Sequence, residues 1–406
     1  MSASPAPAIS GAPKLAKRAG EVAALVRELG FSAASVRMVR TRTVLAAAQA
    51  DALPEVHRHT VRQLDATLTW SGRTTRLVTT NLQPEALAAQ LQGTLQHLQQ
   101  GPPELFAPAN SSSWRAPPPG PFDALDRVDP ALSPADPGVV RGLALALAKP
   151  TGATVSVKAV AQAEAVARTD GAQVAGHHTR IDLSMASPHL TLTRSSRRLA
   201  QLPVAGRLVD LYQGLAGVQA APPVALGPAP ERLLVHPEAA SRLVTALVGL
   251  PMRTGRLAER LSVLADPWVA GGLGAQPFDA RGQATRPVPL IEGGLQRRRH
   301  TARHHGDLRV ALGGKRLARL VGESDRGLVV RGWRRVEVHP ATGAMHLEGY
   351  GWRVVDGTRA APVPRMVVSG RLPELFAKLV GVGADPWAFG GARAPTLVFE
   401  PVEVTA

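Results

Sequence analysis

LADPWVAGGLGAQPFDARGQATRPVPLIEGGL, residues 264–295, sets turn-forming residues between short apolar runs. Asp266-Pro267 starts a turn, Trp268 is placed to anchor it in a core, and Gly271 and Gly272 admit positive φ or a close backbone approach. The same pattern, A-D-P-W-x-x-G-G, returns at Ala384 to Gly391, and each copy follows a G-R-L-x-E segment beginning at Gly255 and at Gly370. The two gaps differ by about one helical turn, roughly 3.6 residues. The pair therefore reads as a repeated helix-then-turn unit, with too few copies for a solenoid.

Upstream the pattern changes to alternating helices and strands. Leu15, Ala19, Val22, Val26 and Leu29 recur at four- and three-residue steps and Gly30 follows as a stop, which predicts a helix. Ser35 to Leu45 and Gln63 to Val78 are rich in Val, Thr and Leu, with Ser71-Gly72 placed as a hairpin turn. Pro84 to Gln99 carries Leu87, Leu91, Leu95 and Leu98 on one helical face. Val139 to Ala148 reads as a short helix, and strand-like runs follow at Ala153 to Val160 and His178 to Leu192. Gly101 to Pro121, with Pro117, Pro118 and Pro119 and three serines at Ser111 to Ser113, reads as loop.

A second proline-rich stretch, Ala220 to Pro230, is the preferred boundary. It gives an N-terminal α+β domain over 1–225, a mixed or antiparallel sheet with packing helices, and a C-terminal, largely β domain with a few short helices over 226–406. Most of the aromatics follow the boundary, among them Trp268, Trp333, Tyr350, Trp352, Trp387 and Phe399, so the second domain should hold the denser aromatic core.

With 406 residues, 45% hydrophobic and 19% charged, the chain has globular composition for about two domains. The first twenty residues break every apolar run, leaving no signal-peptide core, and no later segment approaches the ~20 apolar residues of a spanning helix. A cytoplasmic location is the expectation. The absence of cysteine leaves no disulfide and no thiolate metal ligand. A net charge of +16 raises the possibility of polyanion binding, but the arginines are spread along the chain and aromatics are only 4% of residues.

The 264–295 stretch resembles the signature of the TldD/PmbA family, in which a D-P and glycines lead to P-F-D-x-x-G, a later Arg and an L-I-E-x-G hairpin. The matching residues are Asp266, Pro267, Pro277, Phe278, Asp279, Gly282, Arg286, Leu290, Ile291, Glu292, Gly294 and Leu295. Thr301, Ala302, Arg303 and Gly306 sit where the family often shows T-A-R with a nearby glycine, and the ending ADPWAFGGARAPTLVFEPVEV is similar to that of the PmbA/TldE branch. The resemblance covers Leu233 onward. Two departures stand out. Ala280 and Arg281 follow Asp279 where relatives usually carry acidic residues. The H-E-x-x-x-H helix and late cysteine by which TldD chains hold zinc are also missing. The nearest analogue is Val235 to Arg242, VHPEAASR, where Pro237 follows His236, the glutamate is displaced to Glu238 and no second histidine follows. Leu233, Pro237, Ala239, Ala240 and Leu243 instead resemble the P-x-A-A-x-x-L helix start of the PmbA/TldE branch, with Pro237 in the first turn.

The resemblance implies a TldE-like subunit that binds a TldD-like catalytic partner and helps enclose a cavity for short or unfolded peptides. Zinc is then expected in the partner, with no cofactor and no catalytic residue in this chain. Asp266, Asp279, Arg286, Glu292 and Asp385 are the candidates for critical turn, hairpin or interface positions, against a reading as ordinary turn and surface residues. The alternative is a stand-alone basic protein that binds nucleic acid or another polyanion. A third reading, a metallohydrolase using His300, His304 and a carboxylate, rests on the RRRHTARHHG run that also holds His305, where nearby arginines would repel a cation. His57 and His59, and the pair His177-His178, read as solvated strand or loop positions. No nucleophile elbow and no phosphate loop occurs.

Overall fold

The computed structural model describes residues 12–50, 52, 54–102, 107–108, 125–132, 137–227, 231–251, 256–301 and 306–405. It is a mixed α+β structure built on three sheets. The largest takes seven strands: β1 (Ala33–Ala48), β2 (Glu55–Trp70), β3 (Arg73–Thr79), β4 (Ala107–Pro108), β5 (Thr154–Arg168), β6 (Gln173–Ala186) and β7 (Thr191–Ser196), in the order β4-β3-β2-β1-β5-β6-β7. Every pairing in it is antiparallel.

One face of this sheet carries two apolar patches. Val36 and Met38 lie near one end of β1 and Val44 and Ala46 near the other, all on the same side by the two-residue period of a strand. The helices Ala12–Glu28 and Pro84–Gln100 cover the first patch, and Pro137–Thr151 with Ala205–Ala220 cover the second. The expected hairpin lies at Ser71-Gly72, where φ of 45° and 78° supply the left-handed conformations a two-residue turn needs. Gly30, at φ 96°, follows the first helix as a stop.

The other two sheets use residues from Glu231 onward. β8 (Glu231–Val235), β13 (Arg326–Val338), β14 (Ala344–Val355), β15 (Thr358–Arg371), β16 (Leu379–Val382) and β18 (Leu397–Val402) form a six-stranded sheet in the order β15-β14-β13-β8-β18-β16. β9 (Val263–Asp266), β10 (Val288–Glu292), β11 (Leu295–Gln296), β12 (Asp307–Val310) and β17 (Ala392–Arg393) form the third, ordered β11-β10-β9-β12-β17. Between them lies a core of Leu233, Val235, Leu243, Leu247, Phe376 and Phe399, with the helices Pro237–Val248 and Leu372–Ala377 packed into it. A short helix, Leu317–Gly322, covers the other face of the six-stranded sheet through Leu320 and Val321. None of the helices among the described residues is long and apolar enough to cross a membrane.

Two sequence readings need correction. The run from His178 to Leu192 is two strands, because Ser187-Pro188-His189-Leu190 folds into a turn in which the Ser187 amide donates to the Leu190 carbonyl at 2.8 Å. The G-R-L-x-E segments also do not repeat as helices. The second leads into Leu372–Ala377, but in the first Arg256 to Ala258 is irregular, and Gly255 lies outside the described residues. Its amides are taken by neighbours instead of a helical ladder: Leu257 donates to the Gly294 carbonyl and Ala258 to that of Phe376. Tertiary partners here override the local pattern.

The halves of the chain meet along the glycine-rich stretch. The Gly271 amide donates to Leu125, and the Arg197 guanidinium donates to the carbonyls of Gly272 and Leu273. Gly282 lies so close to Val166 and Val174 that a Cβ there would sit 3.1 Å from a Val166 methyl. Tyr350, Trp352 and Phe389 join the apolar cluster beneath the Pro137–Thr151 and Ala205–Ala220 helices.

Candidate functional site

The helix Pro237–Val248 starts where β8 ends, and its first turn reaches this seam. His236 is its N-cap: Nδ1 accepts from the Glu238 amide at 3.2 Å, and Pro237 in the first turn sacrifices no ladder bond. Ala239, Ala240, Leu243, Val244 and Leu247 hold the other side of the helix in the core. Glu238 is thereby aimed at two arginines from different sheets.

Arg194 of β7 donates to Glu238 Oε1 at 2.9 Å and Arg331 of β13 donates to Oε2 at 2.7 Å. The Arg194 side chain is 2% exposed and its guanidinium stacks 4.6 Å from the centre of the Trp387 ring, with Phe389 at 5.5 Å. Burial lowers the Arg194 pKa and Glu238 pulls it back, so the cation is held by a carboxylate and two aromatic faces. His236 lies edge-on to Trp387 at 6.0 Å. Burial first, then Arg331, Arg194 and Arg359, push its pKa well below the ordinary 6.5, so the ring is neutral with Nδ1 as acceptor.

A cavity of about 600 Å³ opens beside this cluster. Its walls include the Ser187–Leu190 turn and Thr193, the end of the Ala205–Ala220 helix at Gln219, the first turns of the Pro237–Val248 helix at Glu238 and Arg242, and Trp333, Arg334 and Tyr350. Tyr350 is 6% exposed and burial raises its pKa, which keeps the phenol protonated as a donor. Gly332 is what admits it, since a Cβ there would stand 2.6 Å from the Tyr350 oxygen. The Arg242 guanidinium donates to the Trp333 carbonyl and lines the mouth.

A second charged cluster lies on the seven-stranded sheet. Glu164, 2% exposed in its side chain, pairs with Arg37 at 2.6 Å and faces Arg127 at 3.8 Å, while His178 Nδ1 lies 3.2 Å from Arg127. Burial and the charges of Arg197, Arg127 and Arg37 push the His178 pKa well below 6.5. The solvated reading of His178 is thus corrected; His57 and His59 do lie exposed on β2. Arg197, buried among its carbonyl acceptors, is lowered to about 10, with burial the main cause.

The candidate residues are scattered across separate turns. Asp266 ends β9, accepts from the Trp268 amide at 2.9 Å and pairs with Arg309 at 2.7 Å. Asp279 closes the P-F-D-x-x-G turn, where Oδ1 accepts from Arg281 and Gln283. Glu292 is exposed beside Arg297 in the β10–β11 hairpin, and Arg286 is exposed before β10. Asp385 accepts from the amides of Leu317 and Thr396 and from the Thr396 hydroxyl, tying the Leu317–Gly322 helix to β18. None of these five lines the cavity. His300 follows the hairpin and its amide donates to Val248, whereas His304 and His305 lie outside the described residues.

The sequence reading missed Arg194, Arg331, Arg242 and Tyr350. One signal was present: in TLTRSS Arg194 shares the inward parity of Leu192 and Ser196, an odd place for a cation without a buried partner. Among the described residues no group of three or more His, Asp or Glu side chains converges on a metal position. At His236 and Glu238 the setting does not suit a divalent cation, because one imidazole and one carboxylate are too few ligands and the charges of Arg194 and Arg331 on Glu238 oppose a further cation.

With the geometry in hand, residues 255–406 match the PmbA/TldA metallopeptidase C-terminal domain. No curated protein matches the chain. Among solved structures, one from Bacteroides thetaiotaomicron named for a proposed modulation of DNA gyrase is similar at TM-score 0.79 and 18% identity, covering 97% of this chain and 98% of that one. TldE from Thermococcus kodakarensis is similar at TM-score 0.74 and 14% identity, over 95% and 99%. A second proposed gyrase modulator, from Thermotoga maritima, gives TM-score 0.77 at 17% identity over 96% and 99%. These likenesses establish a shared fold over nearly the whole chain.

Proposed function

The chain belongs to the TldD/PmbA family, whose metallopeptidase C-terminal domain it carries over residues 255–406, and from that premise we propose that it is a TldE-like subunit that pairs with a zinc-bearing, TldD-like chain. In this reading the partner hydrolyses short or unfolded peptides, and the present chain shapes the chamber and takes no part in the bond-breaking step.

One observation carries the reading. At the helix start where TldD-type chains are expected to place their H-E-x-x-x-H, Glu238 is clamped between Arg194 and Arg331 and His236 is turned inward as an N-cap. A glutamate serving as the general base of a metallopeptidase works beside a metal ion and its water; here the cations beside Glu238 are the guanidinium groups of Arg194 and Arg331, whose charge opposes a metal ion at the same carboxylate. The likeness to TldE over 95% of the chain is in keeping with the fold this reading requires.

Co-expression with a chain carrying H-E-x-x-x-H and a late cysteine tests it. Size-exclusion chromatography with light scattering should give a complex with one copy of each chain that persists in high salt, as expected of an apolar interface. A protein that instead stays apart from that chain and binds nucleic acid with steep salt dependence would support the polyanion alternative and remove this reading.

A further inference from the structure

We propose that the cavity beside Glu238 is a carboxylate-recognition pocket that takes the C-terminal end of an extended peptide. The choice of a peptide rests on the subunit reading above; the choice of a carboxylate rests on the pocket itself.

The pocket carries more positive charge than it can neutralise. Arg242 and Arg334 line it, and the one lining carboxylate, Glu238, is already matched by two arginines behind it. Burial lowers the Arg242 pKa, with Glu238 the first opposing influence. A bound anion would restore that balance. Arg242 spends one nitrogen on the Trp333 carbonyl, which fixes the plane of the guanidinium and leaves further N–H groups for a planar, two-oxygen acceptor. The protonated Tyr350 phenol and the Gln219 amide line the same space.

The shape favours a chain end over a free ion. About 600 Å³ is within the usual range for a small organic ligand and far larger than one carboxylate requires. Thr191 and Thr193, both exposed, also line the cavity, and they belong to β7, an edge strand that pairs only with β6 among the described residues. An extended peptide lying against that edge can exchange backbone hydrogen bonds with it while its terminal carboxylate reaches Arg242 and Arg334. A free phosphate uses none of that edge.

The test is calorimetric titration of the isolated full-length chain with acetyl-trialanine bearing a free carboxylate, with its C-terminal amide, and with inorganic phosphate. The free acid should bind and the amide should bind at least roughly tenfold more weakly. Arg242→Gln should weaken the acid by a similar factor without changing the weak binding of the amide, and Arg334→Gln, at an exposed position, should act in the same direction with the fold intact. Equal affinity for acid and amide, tighter binding of phosphate than of the acid, or no binding at all would each overturn the proposal. Because no partner chain is present, the result is independent of whether a heterodimer forms, and failure of that assembly leaves this measurement interpretable.

Discussion

The two A-D-P-W-x-x-G-G segments share their fixed letters and do different work. In the first, Asp266 closes its own turn and the glycines admit a buried neighbour: Gly272 faces Asp307, a carboxylate with no exposure, which accepts from the Gly274 amide. In the second, Asp385 ties a helix to a strand, and Trp387 leans on Arg194 and His236 at the edge of the candidate site. A repeated turn motif fixes local backbone geometry, while its energetic role comes from whatever the rest of the chain brings against it.

The widest separation between the copies should come from their last glycines. A Cβ at Gly272 would fall 2.1 Å from Asp307 Oδ2 and 2.9 Å from the Val269 carbonyl, whereas at Gly391 nothing lies within 4 Å. Gly272→Ala should cost about 3 kcal/mol or more by urea denaturation, and Gly391→Ala should stay within about 0.5 kcal/mol. Equal losses would break the distinction.

The tryptophan of the second copy comes next. Trp387→Ala removes the aromatic cover of the buried Arg194 and should cost about 2 kcal/mol. It should also loosen the Arg194–Glu238 pair, which a double-mutant cycle with Glu238→Gln would report.

The aspartates should differ less. Asp385→Ala deletes three hydrogen bonds, including one to the Leu317 amide at a helix start, for about 2 kcal/mol. Asp266→Ala deletes a turn bond and a pair with a half-exposed arginine, for about 1 kcal/mol.

Acid sharpens the contrast, because the titrating neighbours of the two copies respond with opposite sign. His236, beside Trp387, has a folded pKa below its unfolded value of 6.5. The unfolded state therefore binds the proton first, and this contribution to stability, full above 6.5, is lost as pH falls below it. Asp307, beside Gly272, has its pKa raised from 3.8 by burial. The folded state keeps that proton longer, so its contribution grows as pH falls through the window above 3.8. His236→Gln should flatten the loss of Tm just below pH 6.5, and Asp307→Asn should remove the opposing gain at lower pH.

Much of the fold was legible in the sequence. The 3.6-residue spacing of Leu15 to Leu29 and of Leu87 to Leu98, the Ser71-Gly72 turn and the L-I-E-x-G hairpin are each written in residues close along the chain. The candidate site was not, because its members converge only in three dimensions: Arg194 comes from an edge strand, Glu238 from a helix start and Arg331 from a central strand of another sheet. Glu238 could be read only as a displaced glutamate while its partners lay 44 and 93 residues away. Nothing close along the chain marks Asp307 either, yet it is wholly buried because Gly272, Gly274 and Gly306 let three backbones close around it.

The most direct test of the subunit reading is peptide hydrolysis by the purified chain alone, with and without EDTA, against the same chain mixed with its TldD-like partner. The arginine-clamped Glu238 predicts no cleavage by the isolated chain and chelator-sensitive cleavage by the mixture. EDTA-sensitive cleavage by the isolated chain, with Glu238→Gln abolishing it, would contradict the account.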